Sequence, residues 1–294
     1  MEMNLPVRQA VEAQARLGEG VVWDSARQVV WFVDIKRHLL WHHDPATGIS
    51  SAAEAPGQIG WAFPTQDGSL LCGLQDGLYL FDPASQAFTF YAEVPGEPDT
   101  NRLNDACVDP QGRVWFGSMD DAEQEASGRF YVFDRGTIRA TGPSGIAITN
   151  GPAIAGDGSR IYFTDTAAQK IFVADMVRGE PGETRLFVDT SALFPDAYPD
   201  GPIVDAEGCV WTGMYLGGKV ARFSIDGELI ATVQMPARDV TKLALGGPNM
   251  ATAFVTTATK NMTDEDMTRR PLSGSLFAFD APVKGLPVSQ VRLR

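Results

Sequence analysis

The sequence predicts an all-β protein, a six-bladed β-propeller that occupies residues 1–294 as one domain. Three observations predict this fold. One turn-and-strand pattern recurs along the chain, the recurrences are nearly evenly spaced, and no amphipathic helical stretch of convincing length interrupts them. Repeats of 40 to 50 residues that each hold several short strands are typical of propellers. A β-sandwich is the alternative, but it does not explain the near-constant period.

The repeat is a turn, in most copies containing glycine, followed by an alternating apolar strand. Its copies are VWDSARQVVWFVD (22–34), PTQDGSLLCGL (64–74), VDPQGRVWFGS (108–118), AGDGSRIYFTD (155–165), VDAEGCVWTGM (204–214) and the degenerate GGPNMATAFVTTA (246–258). We take one strand residue of each copy as its anchor: Trp31, Leu71, Trp115, Tyr162, Trp211 and Phe254. Successive anchors are 40, 44, 47, 49 and 43 residues apart. A second strand ending in a charged turn follows each copy, as in LYLFDPASQ and RFYVFDRG.

Polar residues recur 11 or 12 positions before most anchors. They are Glu19, Asn104, Asn150 and Asp200, and we call them the polar ring; the other two copies have Ile59-Gly60 and Lys242 there. Equivalent positions of successive blades converge on the propeller axis. We therefore expect these side chains, with Arg102 and Asp105 beside Asn104, at one mouth of the central channel.

Two carboxylates and two amides in one ring predict a divalent metal site. Facing carboxylates repel each other unless a proton or a cation intervenes. Oxygen ligands suit Ca²⁺, Mg²⁺ or Mn²⁺ best and leave Zn²⁺ and Fe²⁺ possible. The alternative interpretation is that Asn-Gly and Asp-Gly simply mark turns. The shared phase of four residues relative to their anchors favours the metal.

Composition excludes several other classes of function. A net charge of -13 argues against nucleic-acid binding. No apolar stretch reaches the length of a membrane helix and no signal peptide is evident, so we expect a soluble, cytoplasmic protein without a membrane partner. The three cysteines are scattered in apolar stretches and are expected to be buried, reduced thiols. His38, His42 and His43 lie before an outer turn, where we expect a solvated edge. The channel then lacks the histidine of a Ser-His-Asp triad or a His-ligated zinc.

Five segments resemble the SMP-30/gluconolactonase family. They are LGEGVVWD (17–24), RLNDACVDPQGRVWFGSM (102–119), ITNGPAIAGDGSRIYFTDT (148–166), YPDGPIVDAEGCVWTGMYLGGKVARF (198–223) and VTKLALGGPNMATAFVTTA (240–258). The resemblance covers nearly the whole chain, and the bacterial sugar lactonases for xylonolactone and arabinonolactone look most similar. It implies a six-bladed propeller that binds one divalent cation in its channel.

The resemblance also implies roles for individual residues. Glu19, Asn150 and Asp200 fall on the family's metal ligands, and Arg102 and Asn104 fall on its substrate-binding residues. The family's substrate-contacting acid has no clear match here; Asp121 and Glu123, in MDDAEQEASG (119–128), are the candidates. In the implied reaction the cation polarises the lactone carbonyl and Asp200 takes the proton of the attacking water.

The activity expected from this resemblance is metal-dependent hydrolysis of a sugar aldonolactone to the aldonic acid, within bacterial sugar oxidation. A calcium-binding regulatory propeller of the regucalcin type is one alternative. Hydrolysis of a non-sugar ester is a second alternative. A propeller glycosidase that uses two carboxylates is a third. Arg102 beside Asn104 favours the enzyme, because a storage site needs no sugar clamp. We expect a monomer or a weak homo-oligomer.

Overall fold

The computed structural model describes residues 1–294 and consists almost entirely of β-strands. The strands of the first half are β1 (Glu2–Met3), β2 (Arg8–Val11), β3 (Gly18–Asp24), β4 (Val29–Asp34), β5 (Leu39–Asp44), β6 (Ile49–Glu54), β7 (Ile59–Pro64), β8 (Leu70–Leu74), β9 (Gly77–Asp82), β10 (Ala87–Ala92), β11 (Asn101–Val108), β12 (Val114–Asp120), β13 (Gly128–Asp134) and β14 (Thr137–Ile146). A single 3₁₀ turn lies between β4 and β5 at Ile35–Arg37.

The second half continues the same pattern. Its strands are β15 (Thr149–Ile154), β16 (Arg160–Asp165), β17 (Lys170–Val177), β18 (Glu180–Pro181), β19 (Arg185–Asp189), β20 (Tyr198–Val204), β21 (Val210–Tyr215), β22 (Lys219–Phe223), β23 (Leu229–Gln234), β24 (Asp239–Gly246), β25 (Thr252–Ala258) and β26 (Leu276–Asp280). One short helix, α1 (Asp264–Arg269), interrupts them. Thr263 and Asp266 form a capping box at its start.

The strands form antiparallel sheets arranged as a β-propeller. Strands β3–β6, β7–β10 and β11–β14 each make a four-stranded sheet in chain order. A fourth sheet contains β15–β18, with β19 also paired to β17. The remaining nine strands follow the order β1-β23-β22-β21-β20-β24-β25-β26-β2. Within this sheet, β20 and β24 are joined by one parallel residue pair, Gly201 with Lys242.

The first strand of each meander faces the centre of the molecule. Strands β3, β7, β11, β15, β20 and β24 contact one another in succession, and β24 contacts β3. Their inner positions are buried, and large aromatic side chains such as Trp61, Trp115 and Trp211 are packed around them without exposure. The closed circle of innermost strands surrounds a central channel.

The amino-terminal strands complete the outer edges of the last two meanders. Strand β2 pairs antiparallel with β26, so Arg8 lies opposite Ala278. The two-residue strand β1 pairs parallel with β23. Strands β1 and β2 thereby cover the outer edges of β23 and β26, which would otherwise be unpaired.

Each anchor lies on the second strand of its meander, one strand further from the channel than the turn-and-strand pattern suggested. Trp31, Trp115 and Trp211 lie on β4, β12 and β21. The polar segments upstream of the anchors are therefore innermost strands themselves. A typical strand has about 5–6 residues, so 11 or 12 residues suffice for part of one strand, a turn and part of the next strand.

A tryptophan–aspartate hydrogen bond stabilises three of the repeated turns. The indole Nε1 of Trp115 donates to Asp109 Oδ2 at 3.0 Å, and that of Trp211 donates to Asp205 Oδ2 at 2.8 Å. Trp31 makes a longer bond of 3.4 Å to Asp24. The other oxygen of Asp109 accepts from the backbone N–H groups of Gln111 and Arg113. The aspartate of the repeat thus holds its turn and its anchor together.

No helix in the structure combines the length and the apolar character needed to cross a membrane.

Candidate active site

The polar ring lies at β-bulges on the innermost strands. The pairing of β3 with β4 shifts between Glu19 and Val22, and that of β15 with β16 shifts between Asn150 and Ala153. The pairings of β11 with β12 and of β20 with β21 shift at residues 103–106 and 199–202. A bulge bends its strand and redirects a side chain. At these four bulges it allows a polar residue to face the channel inside an otherwise apolar strand.

Four strands direct the predicted site residues into one pocket at one end of the channel. Glu19, Arg102, Asn104, Glu123, Asn150 and Asp200 all line it. Thr166, Tyr215, Lys260 and Asn261 complete its polar wall. We call it the polar pocket. The cavity that it encloses is small, about 70 Å³.

Glu19 and Asp200 are buried carboxylates without a cationic partner. Glu19 is 4% exposed, and Asp200 is 7% exposed. The backbone N–H of Gly20 donates to Glu19 at 3.0 Å, while the nearby cations Arg102 and Lys242 pair with Asp121 and Asp105 instead. Burial, reinforced by the charge of Asp105, raises the pKa of Glu19 to about 8. Burial also raises the pKa of Asp200 well above its usual value, and Glu19 adds to this effect.

The side-chain oxygens of the two amides in the polar ring accept hydrogen bonds of different length. Asn104 Oδ1 accepts a 2.6 Å hydrogen bond from Arg102, and Asn104 Nδ2 donates to the carbonyl of Thr149 at 2.6 Å. Asn150 Oδ1 accepts only a longer bond of 3.2 Å from Asn104 Nδ2. The Asn150 amide is oriented by donating to Thr166 Oγ1 at 2.9 Å. The oxygen of Asn150 is therefore held by a longer and weaker hydrogen bond than that of Asn104, which accepts a short bond from the Arg102 guanidinium.

Arg102 is a buried guanidinium with three fixed contacts. Its Nε donates to Asp121 Oδ1 at 2.9 Å, and its terminal nitrogen donates to Asn104 and to the carbonyl of Leu103. Burial lowers its pKa, and the charges of Asp121 and Glu123 oppose that effect. Arg102 and Asn104 thus form one rigid hydrogen-bonding unit in the polar pocket.

The structure separates the two candidate acids of the 119–128 segment. Glu123 lines the polar pocket and forms an ion pair with Lys260 across its mouth. Asp121 does not line the pocket. It accepts from Lys36, Gln58 and Arg102; burial raises its pKa, but the hydrogen bonds of Lys36 and Gln58 outweigh burial and hold the pKa below its usual value. Asp121 supports Arg102, and Glu123 is the acid that a ligand in the pocket can reach.

Asp105 faces deeper into the channel than its position beside Asn104 suggested. Its Oδ2 accepts from Lys242 Nζ and from the backbone N–H of Gly151, both at 2.8 Å. Neither Asp105 nor Lys242 lines the polar pocket. Our expectation that Asp105 would lie at the mouth is therefore wrong, because the bulge directs the side chains of residues 104 and 105 to different depths.

The histidines and cysteines lie outside the polar pocket. His42 and His43 are on β5, and His43 shares a 2.9 Å hydrogen bond with Ser50. His43 is only 4% exposed, so the expectation of a solvated edge is wrong for this residue: β5 is covered on both sides by β4 and β6. All three cysteines are free; Cys72 and Cys209 are buried and Cys107 is partly buried.

Several pocket residues carry no signal in the repeat. Tyr215 ends β21, and Lys260 and Asn261 belong to the segment before α1. Lys36 and Gln58, which hold Asp121 outside the pocket, lie in segments between strands. Their positions depend on how loops fold over the channel, and spacing along the chain does not encode that.

The donor set fits a divalent metal ion. Two carboxylates without a cation and one amide oxygen that accepts only one long hydrogen bond line the polar pocket, and hard oxygen ligands of this type suit Ca²⁺, Mg²⁺ and Mn²⁺. No group of three or more histidine, cysteine, aspartate and glutamate side chains is placed to hold a metal. A cation in the polar pocket would therefore depend on Asn150 as well as on Glu19 and Asp200.

This fold and this pocket define a β-propeller of a known hydrolase family. Residues 17–259 match the sequence profile described as SMP-30/Gluconolactonase/LRE-like region. The chain belongs to this family, and the resemblance noted in the sequence is confirmed.

Relatives of known activity are lactone hydrolases. The chain is 31% identical to the 6-deoxy-6-sulfogluconolactonase of Pseudomonas putida, over 96% of this chain and 97% of the relative. It is 30% identical to the pentonolactonase of Haloferax volcanii, over 98% and 100% of the two chains. It is also 30% identical to the L-arabinolactonase of Azospirillum brasilense, over 99% and 98%. The expectation of a lactone-hydrolysing enzyme class is confirmed by these relatives.

The fold is also that of a solved family structure. The calcium-binding protein regucalcin from Agrobacterium tumefaciens superimposes with a TM-score of 0.95 and 28% identity, covering 100% of this chain and 99% of that one.

Proposed function

We propose that this protein hydrolyses a sugar aldonolactone to the aldonic acid, using one divalent cation held by Glu19, Asn150 and Asp200. One observation carries the proposal: Glu19 and Asp200 are buried in the same pocket without a cationic partner, and Asn150, whose amide oxygen accepts only one long hydrogen bond, lines that pocket too. Burying unpaired carboxylates is costly, and a cation removes that cost. The sugar-lactonase relatives support the choice of substrate class.

The substrate would be held by Arg102, Asn104 and Glu123. Arg102 and Asn104 are fixed to each other at 2.6 Å, and Arg102 keeps N–H groups free for a ligand, whereas both N–H groups of the Asn104 amide are used by Thr149 and Asn150. Glu123 supplies an acceptor at the mouth. Charged donors and an acceptor in one pocket suit the hydroxyl groups of a monosaccharide lactone.

Asp200 is the proposed general base. A divalent cation supplies Lewis-acid polarisation of the lactone carbonyl when bound. Asp200 then removes a proton from the attacking water, the bond between the carbonyl carbon and the ring oxygen breaks, and the proton passes to that oxygen. Thr212 holds the backbone of Asp200 through bonds of 3.1 and 3.0 Å, which fixes the carboxylate's position.

We propose that residues 1–294 form one domain, a propeller of six blades. The nine-stranded sheet divides naturally at the single Gly201–Lys242 pair into two four-stranded meanders, and the short strand β1 is added to the first of them. The pairing of β2 with β26 ties the start of the chain to its last meander. A place in bacterial sugar oxidation, a cytoplasmic location and a monomer or weak homo-oligomer stay predictions.

A calcium-binding regulatory propeller is the second candidate. The similarity to the regucalcin of A. tumefaciens, described as a calcium-binding protein, favours it. Turnover separates the two: a regulatory protein binds the cation without hydrolysing any lactone.

The test combines metal removal with a substrate panel. The chelated protein is supplied in turn with Ca²⁺, Mg²⁺, Mn²⁺, Zn²⁺ or Fe²⁺ and assayed for acid release from freshly prepared pentono- and hexonolactones. We expect chelation to abolish activity and to lower Tm, because a ligand bound only by the folded state stabilises it by mass action. Asp200→Ala is expected to remove both effects, whereas Asp157→Ala, in an exposed turn, is expected to keep them. Full activity of the chelated protein would contradict the proposal.

A further inference from the structure

A buried ion pair separates the polar pocket from the far half of the channel. Lys242 Nζ lies 2.8 Å from Asp105 Oδ2, and the side chains are 5% and 1% exposed. The far half is an apolar cavity, lined by Lys242 together with residues such as Val22, Phe63 and Leu245. Removing two charges from water is expensive, and no residue of the pair reaches the polar pocket. The role of this ion pair is therefore not direct contact with a substrate in the polar pocket.

The pair connects the strands that carry the proposed ligands. Asp105 follows Asn104 on β11, and its Oδ2 also accepts from Gly151 N at 2.8 Å, the residue after Asn150 on β15. Lys242 Nζ also approaches the carbonyl of Pro202, two residues after Asp200 on β20, at 3.4 Å. One ion pair thus touches three of the strands that surround the polar pocket.

The backbone is adapted to this arrangement at Gly201. A Cβ atom at this position would lie 2.7 Å from Lys242 Cγ and 2.9 Å from its Cβ. Gly201 and Lys242 also form the one parallel pair that joins β20 to β24. The aliphatic part of the lysine therefore lies directly against the residue after Asp200.

The charges of the pair act on Glu19 and Asp200 with opposite signs. Lys242 favours the ionised form of both carboxylates, and Asp105 disfavours it. A dication beside these carboxylates feels the same two charges with the signs reversed: the lysine repels it and Asp105 attracts it. With both charges present their influence on the cation partly cancels.

We propose that the charges of Lys242 and Asp105, an ion pair that bridges the strands of Asn104, Asn150 and Asp200, set the affinity of the polar pocket for its cation. This inference rests on the proposed metal site. Neither residue contacts substrate, and neither is a ligand. The lysine limits how tightly the cation binds, and Asp105 compensates for the lysine.

The test is a double-mutant cycle with cation affinity as the measured quantity. Lys242→Met, Asp105→Asn and the double variant are titrated calorimetrically with CaCl₂ and with MnCl₂ after chelation. We expect Asp105→Asn to weaken the affinity and Lys242→Met to strengthen it, each by at least about tenfold at the effective dielectric of a protein interior. The double variant is expected to lie near the wild type. Damage to the fold would weaken binding in every variant, so opposite signs identify the charge effect.

Two further comparisons keep the test decisive. If Lys242→Met alone does not fold, the double variant compared with Asp105→Asn still isolates the lysine charge, and it must bind the cation more tightly than Asp105→Asn. Asp205→Asn is the matched control, because Asp205 forms a similar buried ion pair with Arg222 on the outer part of β20–β22. It is expected to lower Tm and leave cation affinity unchanged.

The outcomes distinguish this inference from the proposed function. Cation binding by the wild type, with shifts of the same sign in both single variants or no shift in either, overturns the inference alone. Failure of the double variant to bind more tightly than Asp105→Asn does the same. A wild type that binds no divalent cation overturns the proposed function, and the inference with it.

Discussion

At the scale of single residues, Arg102 offers the clearest division between substrate and metal. Its guanidinium bonds to Asn104 and Asp121 and contacts neither Glu19 nor Asp200. A hydrogen bond from a charged group contributes about 1.5–3 kcal/mol, so Arg102→Ala is expected to reduce kcat/KM roughly ten- to a hundred-fold. Cation affinity is expected not to fall, because the substitution removes a positive charge near Glu19 and no ligand. Kinetics on the best lactone and calorimetric cation titration of the same preparation check this.

Glu19→Ala is the counterpart of that experiment. It removes a carboxylate without a cationic partner, so cation affinity is expected to fall first and activity as a consequence, with activity recovering partly at high cation concentration. Were Arg102→Ala to lose the cation while Glu19→Ala retained it, the assignment of roles in the polar pocket would be wrong.

The raised pKa of Glu19 predicts a pH dependence of the metal-free protein. The pKa of the Glu19 carboxyl rises from the usual 4.5 to about 8 in the folded protein. Burial is the larger cause, and the negative charge of Asp105 is the second. The folded state therefore binds the proton more tightly than the unfolded state does. The stability associated with this proton is complete below about pH 4.5 and is lost as the pH rises through about 8. In the presence of chelator, Tm is therefore expected to fall between about pH 5 and about pH 8.5. The corresponding loss in the free energy of unfolding is on the order of a few kcal/mol. Excess cation should abolish most of this fall, which thermal melting across the pH series measures.

At the scale of the structural elements, the aspartate of the repeated turn is expected to contribute more than other turn residues. Asp109 accepts from Trp115, from Arg113 and from two backbone N–H groups, and it is 1% exposed. Asp109→Ala leaves these buried donors unpaired and is expected to cost about 2–4 kcal/mol of unfolding free energy. Asp157→Ala, in an equivalent turn whose aspartate accepts only from Ser159, is the control and is expected to cost less than about 1 kcal/mol. Urea unfolding of both variants checks this; equal losses would contradict it.

At the scale of the whole molecule, the pairing of β2 with β26 closes the circle of sheets. Removing residues 1–11 deletes that strand and exposes the edge of β26, including Leu276, Phe277 and Ala278. An open edge invites pairing with another chain, so the truncated protein is expected to melt at a lower temperature and to self-associate. Removal of residues 1–4, which deletes only the two-residue β1, is expected to have a small effect. Thermal melting and light scattering check both truncations.

The sequence by itself determined the strand class, the repeat and most of the polar pocket. Strand periodicity is local, and a residue at the same phase in successive repeats faces the same way in each. Glu19, Asn104, Asn150 and Asp200 could therefore be placed together from spacing alone, and all four line one pocket. The resemblance to the family implied a substrate-binding role for Arg102 and reduced the metal ligands to three.

Only the tertiary structure decided which partner each of the site's side chains contacts. A contact within one meander assigns Asp121 to Arg102, and a contact between loops of different meanders places Glu123 at the mouth opposite Lys260. The pairing of Asp105 with Lys242 joins residues separated by 137 positions in the chain. Phase along a strand shows which side chains face the channel, but the depth at which each one meets a partner depends on bulges and on the neighbouring blade, and neither is a property of one repeat.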